Sequence, residues 1–338
     1  MRLVFCGTPQ FAVPTLEALL NAGHEVSLVV SQPDRRVGRD QQLTAPPVKQ
    51  AALAASLAVT QPEKIRSNAE FRAQLEAIAP DAIIVVAYGR IIPPWMLALP
   101  RLGCINLHAS LLPKYRGAAP IQWAVARGES ITGNTTMLLE EGLDTGPILL
   151  QQAFAIAPEM TAVELFEELA LAGAPLLLQT LDGLDDGSIK PTPQNHARAT
   201  LAPILTREDG RMDFAAHTAA ELKNRWRGFQ PWPGAFTALG GKKLIVHRME
   251  VRDQGSEIRD LGSGNRKDLL VEAGSLILPV EPEPGRIHVE AQRLFVACAC
   301  GTWLELVEVQ LEGKKRIAAG DFLRGNALAD GARLGAAE

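Results

Sequence analysis

Short, nearly continuous apolar runs alternate with amphipathic stretches along the first half of the chain. Arg2 to Cys6, Glu25 to Val30 and Ala82 to Ala87 read as strands, and the spacing from Phe11 to Ala22 reads as a helix closed by Gly23. Strand, helix and strand in that order form a βαβ unit, which predicts a parallel sheet with right-handed crossovers. Ala82 to Ala87 is apolar throughout, as in a central strand covered on both faces. Further helices are expected over Pro47 to Ser56, Ala69 to Ile78 and Pro93 to Leu99. Further strands are expected near Leu57 to Thr60 and over Leu102 to Leu107, Asn134 to Leu139 and Ile148 to Ile156. Between them, Ser31 to Pro46 reads as a long irregular loop. Thr161 to Leu181 reads as mainly helical, with Thr161 and Glu164 spaced as a capping box, and with Gly173 and Pro175 set to kink or split it.

The pattern changes after Asp185. Residues 185–203 hold several prolines and few apolar positions, so the chain is divided into a first domain at 1–184, a linker at 185–204 and a second domain at 205–328. In the second domain a helix over Ala216 to Gly228 precedes short strands at Ala235 to Leu239 and Lys243 to Arg252, joined by the hairpin signal Gly240-Gly241. Gly262 to Asp268 reads as a flexible loop. Strands near Arg286 to Val289, Leu294 to Ala299 and Trp303 to Gln310 follow, then a basic turn and a short helix from Ile317 to Arg324. Several short strands with glycine turns and one helix fit a small β-barrel.

Composition narrows the class without changing that picture. A length of 338 residues accommodates two cores, and 47% hydrophobic with 21% charged residues is ordinary for a soluble globular protein. No apolar stretch reaches membrane-spanning length, and the segment before Gly7-Thr8-Pro9 is too short for a signal peptide. Four cysteines in a chain of this size are too few for a disulfide framework, so a reduced, cytoplasmic protein is expected, without membrane attachment and as a monomer. Cys298 and Cys300 have no neighbouring histidine or cysteine in sequence and read as small residues on one strand face. The other histidines outside the central motif lack ligand spacing, and no metal is expected. The net charge of −4 does not advertise a nucleic-acid binder, although a local basic patch would suffice for phosphate binding.

The candidate chemistry sits in Gly103 to Pro120, G-C-I-N-L-H-A-S-L-L-P-K-Y-R-G-A-A-P. Asn106 and His108 are two apart, so on a strand their side chains share a face. They lie at the carboxyl end of that strand, where open α/β sheets keep their ligand crevice. Either residue alone would equally fit a buried amide or a satisfied core imidazole. Gly7-Thr8-Pro9 lacks the G-x-G-x-x-G spacing, which disfavours a nicotinamide dehydrogenase.

N-L-H-A-S-L-L-P-K-Y-R-G, together with G-L-D-T-G from Gly142, resembles the signature of the 10-formyltetrahydrofolate-dependent formyltransferases. G-T-P-Q-F-A and S-Q-P-D-R narrow the resemblance to the branch that formylates methionyl-tRNA. The resemblance covers nearly the whole chain. It implies a Rossmann-like α/β catalytic domain followed by an OB-like β-barrel, with 10-formyltetrahydrofolate as the formyl donor. It also implies Asn106, His108 and Asp144 as the catalytic set, and folate contacts from Ser110, Leu111, Leu112 and Pro113, with Tyr88 and Gly89 lining the pterin pocket. The basic residues suggested as tRNA contacts are Arg35, Arg36 and Arg39 in the long loop, Lys223 and Arg227 on the second-domain helix, and Lys314, Lys315 and Arg316 at the turn. Two positions depart from the family pattern: Asp40-Gln41-Gln42 follows Arg39 where lysines are usual, and Ile204 stands where a lysine is common. The alternatives carried are a formyltransferase acting on an amino sugar nucleotide or on glycinamide ribonucleotide, and a non-catalytic RNA-binding protein on the same scaffold.

Overall fold

The computed structural model describes residues 1–37, 41–252, 283–326, 328 and 331–335. Arg39 and the expected loop at Gly262 to Asp268 lie outside the described residues. The chain divides into two compact units, Met1–Ala124 with Glu129–Ile204, and Val125–Gly128 with Leu205–Glu338.

The first unit runs β1 (Arg2–Gly7), α1 (Val13–Asn21), β2 (Glu25–Val30), β3 (Arg35–Val37), β4 (Gln42–Thr44), α2 (Pro47–Ala54), β5 (Val59–Thr60) and α3 (Ala69–Ile78). It continues with β6 (Ala82–Val86), α4 (Pro94–Leu97), β7 (Cys104–His108), α5 (Pro120–Ala126), β8 (Ile131–Leu138), β9 (Ile148–Ala155) and α6 (Ala162–Asp185). A seven-stranded sheet has the order β5-β2-β1-β6-β7-β8-β9. The strand order reverses at β1 and β6, and the loops following β1, β6 and β7 leave the sheet at one edge, as the crevice rule requires. Thr8 reaches across that switch point, its hydroxyl donating to the Tyr88 carbonyl at 3.1 Å. Every residue of β6 is buried, as its apolar run predicts.

Three local expectations of the first unit are revised. The sheet is mixed rather than parallel throughout, because β8 pairs antiparallel with both β7 and β9. Residues 139–147 between β8 and β9 are too few to carry a helical crossover, so the chain returns antiparallel. Ser31 to Pro46 is not irregular throughout: β3 and β4 pair antiparallel within it, in strands too short and polar to announce themselves. Helix α6 runs unbroken through Gly173 and Pro175, capped by Thr161 and Glu164 in a capping box. Pro175 sits on its exposed face with Leu171, the residue whose carbonyl it cannot serve. Gly173 faces inward, where an added Cβ would lie 2.6 Å from Leu107 of β7. Residues 186–204 group with the first unit. Thr192 and Ile148 exchange backbone hydrogen bonds, while the Arg116 N–H donates to the Thr200 carbonyl and the Arg116 carbonyl accepts from the Ala202 N–H.

The second unit contains α7 (Ala219–Gly228), β10 (Ala235–Leu239), β11 (Lys242–Arg252), β12 (Ile287–Glu290), β13 (Arg293–Ala297), β14 (Trp303–Leu311), β15 (Ile317–Ala318) and α8 (Ala319–Gly325). Its antiparallel sheet follows β10-β11-β14-β13-β12, with β15 beside β14. The β10–β11 hairpin turns on Gly240 and Gly241 at φ +51 and +71, the backbone a two-residue I′ turn needs. Residues 317–324 form the short β15 before α8 rather than one helix. Cys298 and Cys300 do not share a strand face, since β13 ends at Ala297; Cys298 is buried and Cys300 exposed.

Candidate active site

Strand β7 carries both polar residues inward to the crevice side, and the alternation that puts them there turns Leu107 onto α6. Asn106 and His108 are 8% and 6% exposed, low enough for a dry site yet not sealed. The His108 Nε2 lies 2.9 Å from the Tyr115 carbonyl. A carbonyl only accepts, so this contact places the proton on Nε2 and leaves the Nδ1 lone pair for chemistry. Nδ1 stands 3.7 Å from Asp144 Oδ2. That is too long for a hydrogen bond, but close enough to stabilise the imidazolium once Nδ1 takes a proton. The Asn106 amide makes no side-chain hydrogen bond among the described residues, so it is available to a ligand.

The loop after β7 is held by Thr135 of β8. Its hydroxyl donates to the Ser110 carbonyl at 2.6 Å and accepts from the Leu112 N–H at 3.1 Å. Gln151 of β9 donates to the Leu112 carbonyl at 2.9 Å and to Thr135 Oγ1 at 2.8 Å. Ser110 is fully buried, and its hydroxyl donates to the Lys114 carbonyl at 2.7 Å. Its side chain therefore shapes the turn, while Leu111 and Pro113 remain partly accessible.

Tyr88 and Gly89 follow β6. The Tyr88 ring is buried in the core with its hydroxyl unpartnered among the described residues, and burial pushes that phenol well above its ordinary value. Its backbone faces the crevice, where Gln32 donates to its carbonyl at 3.1 Å. Gly89 is exposed at φ +79, and Ile91 beyond it is 86% exposed. An open backbone turn with an apolar rim fits a flat heterocycle. Burial pushes the thiol of Cys104, on β7, up to about 12, which disfavours its thiolate at neutral pH.

Asp144 lies in the loop between β8 and β9 at φ +51. Its Oδ2 accepts the Gly117 N–H at 2.8 Å. Sequence reasoning missed the residues behind this loop. Gln194 donates to the carbonyls of Asp144 and Gly146 at 2.9 and 2.7 Å, and its own oxygen accepts from Arg116 Nε and Nη2 at 3.1 and 2.6 Å. Arg116 was visible within R-G-A-A-P, but nothing in a proline-rich stretch marks Gln194.

The basic residues separate into two kinds. Arg35 and Arg36 are exposed on β3, Arg36 bonding the Gln41 carbonyl at 3.1 Å. Lys314, Lys315 and Arg316 are exposed, with Arg316 paired to Glu308. Lys223 and Arg227, read from the sequence as tRNA contacts, are not surface cations. Lys223 pairs with Glu250 at 3.0 Å, and Arg227 is 5% exposed and bonds Asn224 at 2.6 Å. Lys223 thus reaches β11 and Arg227 is buried beside its own helix, neither of which charge counting along the sequence registers. Among the described residues no three His, Cys, Asp or Glu side chains gather as metal ligands, and no helix is long and apolar enough to cross a membrane.

These features can be set beside known proteins. The "Formyl transferase" model matches residues 1–181, and the "Formyl transferase, C-terminal domain" model matches residues 204–327. A solved N-formyltransferase from Helicobacter canadensis, in complex with folinic acid and dTDP-3-aminofucose, superposes with a TM-score of 0.61 at 16% identity, over 90% of this chain and 98% of that one. That likeness concerns the fold. The chain belongs to the formyl transferase family. Within it, the chain is 65% identical to the methionyl-tRNA formyltransferase of Acidobacterium capsulatum over 99% of its length and 100% of the relative's. It is 56% identical to the one from Koribacter versatilis over 96% of both chains.

Proposed function

We propose that this protein transfers the formyl group of 10-formyltetrahydrofolate to the amino group of methionyl-tRNA. The observation that carries this reading is full-length similarity at 65% identity to a methionyl-tRNA formyltransferase. The presence of Asn106, His108 and Asp144 at one crevice agrees with it.

The donor supplies a formyl carbon whose bond to a folate nitrogen breaks as the bond to the incoming amine forms. Asn106 donates its amide hydrogen to the formyl oxygen as negative charge develops there. A single donor of this kind lowers the barrier by roughly 2.7–4 kcal/mol. His108 Nδ1 takes the proton released by the attacking amine and returns one to the departing nitrogen. Asp144, fixed on the Gly117 N–H, stabilises His108 while it carries that proton. The folate is bound by the Leu111–Leu112–Pro113 turn and by the backbone at Tyr88 and Gly89, with Ser110 keeping the turn in shape. No metal is needed in this scheme, because the amide and the imidazole cover both charge changes.

The acceptor is held by phosphate contacts from Arg35, Arg36 and Arg39 and from Lys314, Lys315 and Arg316, with Lys223 and Arg227 serving the fold instead. Without lysines after Arg39 and at Ile204, phosphate attraction rests more heavily on the Lys314–Arg316 turn. The tRNA pool places this work in the cytoplasm. Incubation with 10-formyltetrahydrofolate and methionyl-tRNA, with the amino sugar nucleotide and glycinamide ribonucleotide in parallel, tests the proposal. Formyl-methionyl-tRNA is the expected product. Transfer to a small substrate and not to the tRNA would refute the reading.

A further inference from the structure

Asp144 is held in an unusual way for a surface-loop carboxylate. Its backbone is left-handed, at φ +51, in a region that residues other than glycine enter sparingly. Two residues on, the loop packs tightly against β8: an added Cβ at Gly146 would fall 1.9 Å from the Leu138 carbonyl oxygen. Two anchors hold it. The Gly117 N–H holds the carboxylate, and the Gln194 amide nitrogen holds the carbonyls of Asp144 and Gly146.

The Gln194 side chain is 6% exposed and has one allowed orientation. Its nitrogen must face the two carbonyls, which only accept, and its oxygen must face Arg116, which only donates. Arg116 is itself 6% exposed and extends a further hydrogen bond to His196 Nδ1 at 3.1 Å. Arg116 and Gly117 are consecutive, so one short segment supplies both the support for Gln194 and the donor for the carboxylate.

We propose that Gln194, oriented by buried Arg116, is a positioning residue that sets the Asp144 carboxylate against His108. The proposal rests on the catalytic reading of Asp144 given above. It makes a residue from the stretch after α6, remote in sequence from the signature motif, part of the rate-setting geometry.

The test compares Gln194→Met, which keeps length and loses every hydrogen bond, with Gln194→Glu. The glutamate keeps the Arg116 contact but points a carboxylate oxygen at two carbonyl oxygens. Both variants should lower kcat by about 10- to 100-fold, as expected for a displaced catalytic group, while the Michaelis constant for 10-formyltetrahydrofolate stays within about twofold. In an Asp144→Asn background, already slow, Gln194→Met should add less than about threefold, because residues acting as a unit are non-additive. Thermal melting of each variant establishes that it is folded, and Gln194→Glu serves if Gln194→Met is not. Unchanged kcat in a folded variant, full activity in Gln194→Glu, or fully additive losses would overturn the proposal. If Asp144→Asn itself kept wild-type turnover, the catalytic reading of Asp144 would fall first, whatever Gln194 did.

Discussion

The crevice of the first unit and the basic turn of the second are both polar, yet they are built on opposite principles. At the crevice, Arg116, Gln194, Ser110 and Thr135 are buried, and each has its hydrogen-bonding partners inside the protein. At the turn, Lys314 and Lys315 stand in water on exposed backbone. Buried groups with fixed partners define positions, so their loss should appear in turnover. Exposed cations define a field, which salt screens and which acts mainly on association. An arginine in the sequence does not announce to which kind it belongs.

The sharpest break of this comparison is at His108. His108→Ala should reduce kcat by about 10²- to 10⁴-fold, the range for a lost general base, and adding Asp144→Ala should cost little more. Steady-state kinetics on the single and double variants check this; multiplicative losses would assign the two groups to separate steps. Asn106→Ala should follow at roughly 10²–10³ in kcat, with folate affinity nearly intact. A fall of a few-fold would remove Asn106 as the oxyanion donor.

Effects at the turn should be smaller and of a different kind. Replacing Lys314, Lys315 and Arg316 with glutamine should raise the Michaelis constant for tRNA. It should also flatten the salt dependence by about one unit of log–log slope for each phosphate no longer neutralised. Turnover at saturating tRNA should stay near wild type. Arg227→Met is the control: it should lower the melting temperature and leave that slope alone. A changed slope there would mean that the buried arginine reaches the tRNA after all.

The smallest expected effect belongs to Glu305, which ties β14 to its neighbours through Arg252 and Arg293 at 2.6 Å each. Burial raises the Glu305 carboxyl, but the hydrogen bonds from the two arginines outweigh it and hold the group below the usual carboxylate range. A depressed folded-state value contributes stability above the unfolded value, near pH 4.3, and that stability is lost as pH falls through the folded one. Glu305→Gln should therefore destabilise by about 1–3 kcal/mol at neutral pH. The gap to wild type should close below about pH 4. Melting curves across pH measure it; a gap that persisted in acid would point to packing instead of charge.

What the sequence revealed divides along a similar line. The alternation in β7 fixed a common face for Asn106 and His108, because a period of two leaves no choice once the strand is granted. The capping box at Thr161 was readable for the same reason, being local. The Gln194 bridge was not, since its hydrogen bonds to Arg116, Asp144 and Gly146 span between 48 and 78 positions of chain. Nor was the burial of Arg227, which depends on tertiary packing around α7. The β3–β4 hairpin escaped notice because strands of three residues carry too few alternations to show a period.

Gly173 touches neither partner of the reaction, yet it bears on it from behind. It lies on α6 where a methyl group would collide with Leu107, the residue between Asn106 and His108. Alanine at this position would require the Leu107 side chain to shift on the face of β7 opposite the two polar residues. The spacing between α6 and β7 at this point is thus set by a residue that has no side chain.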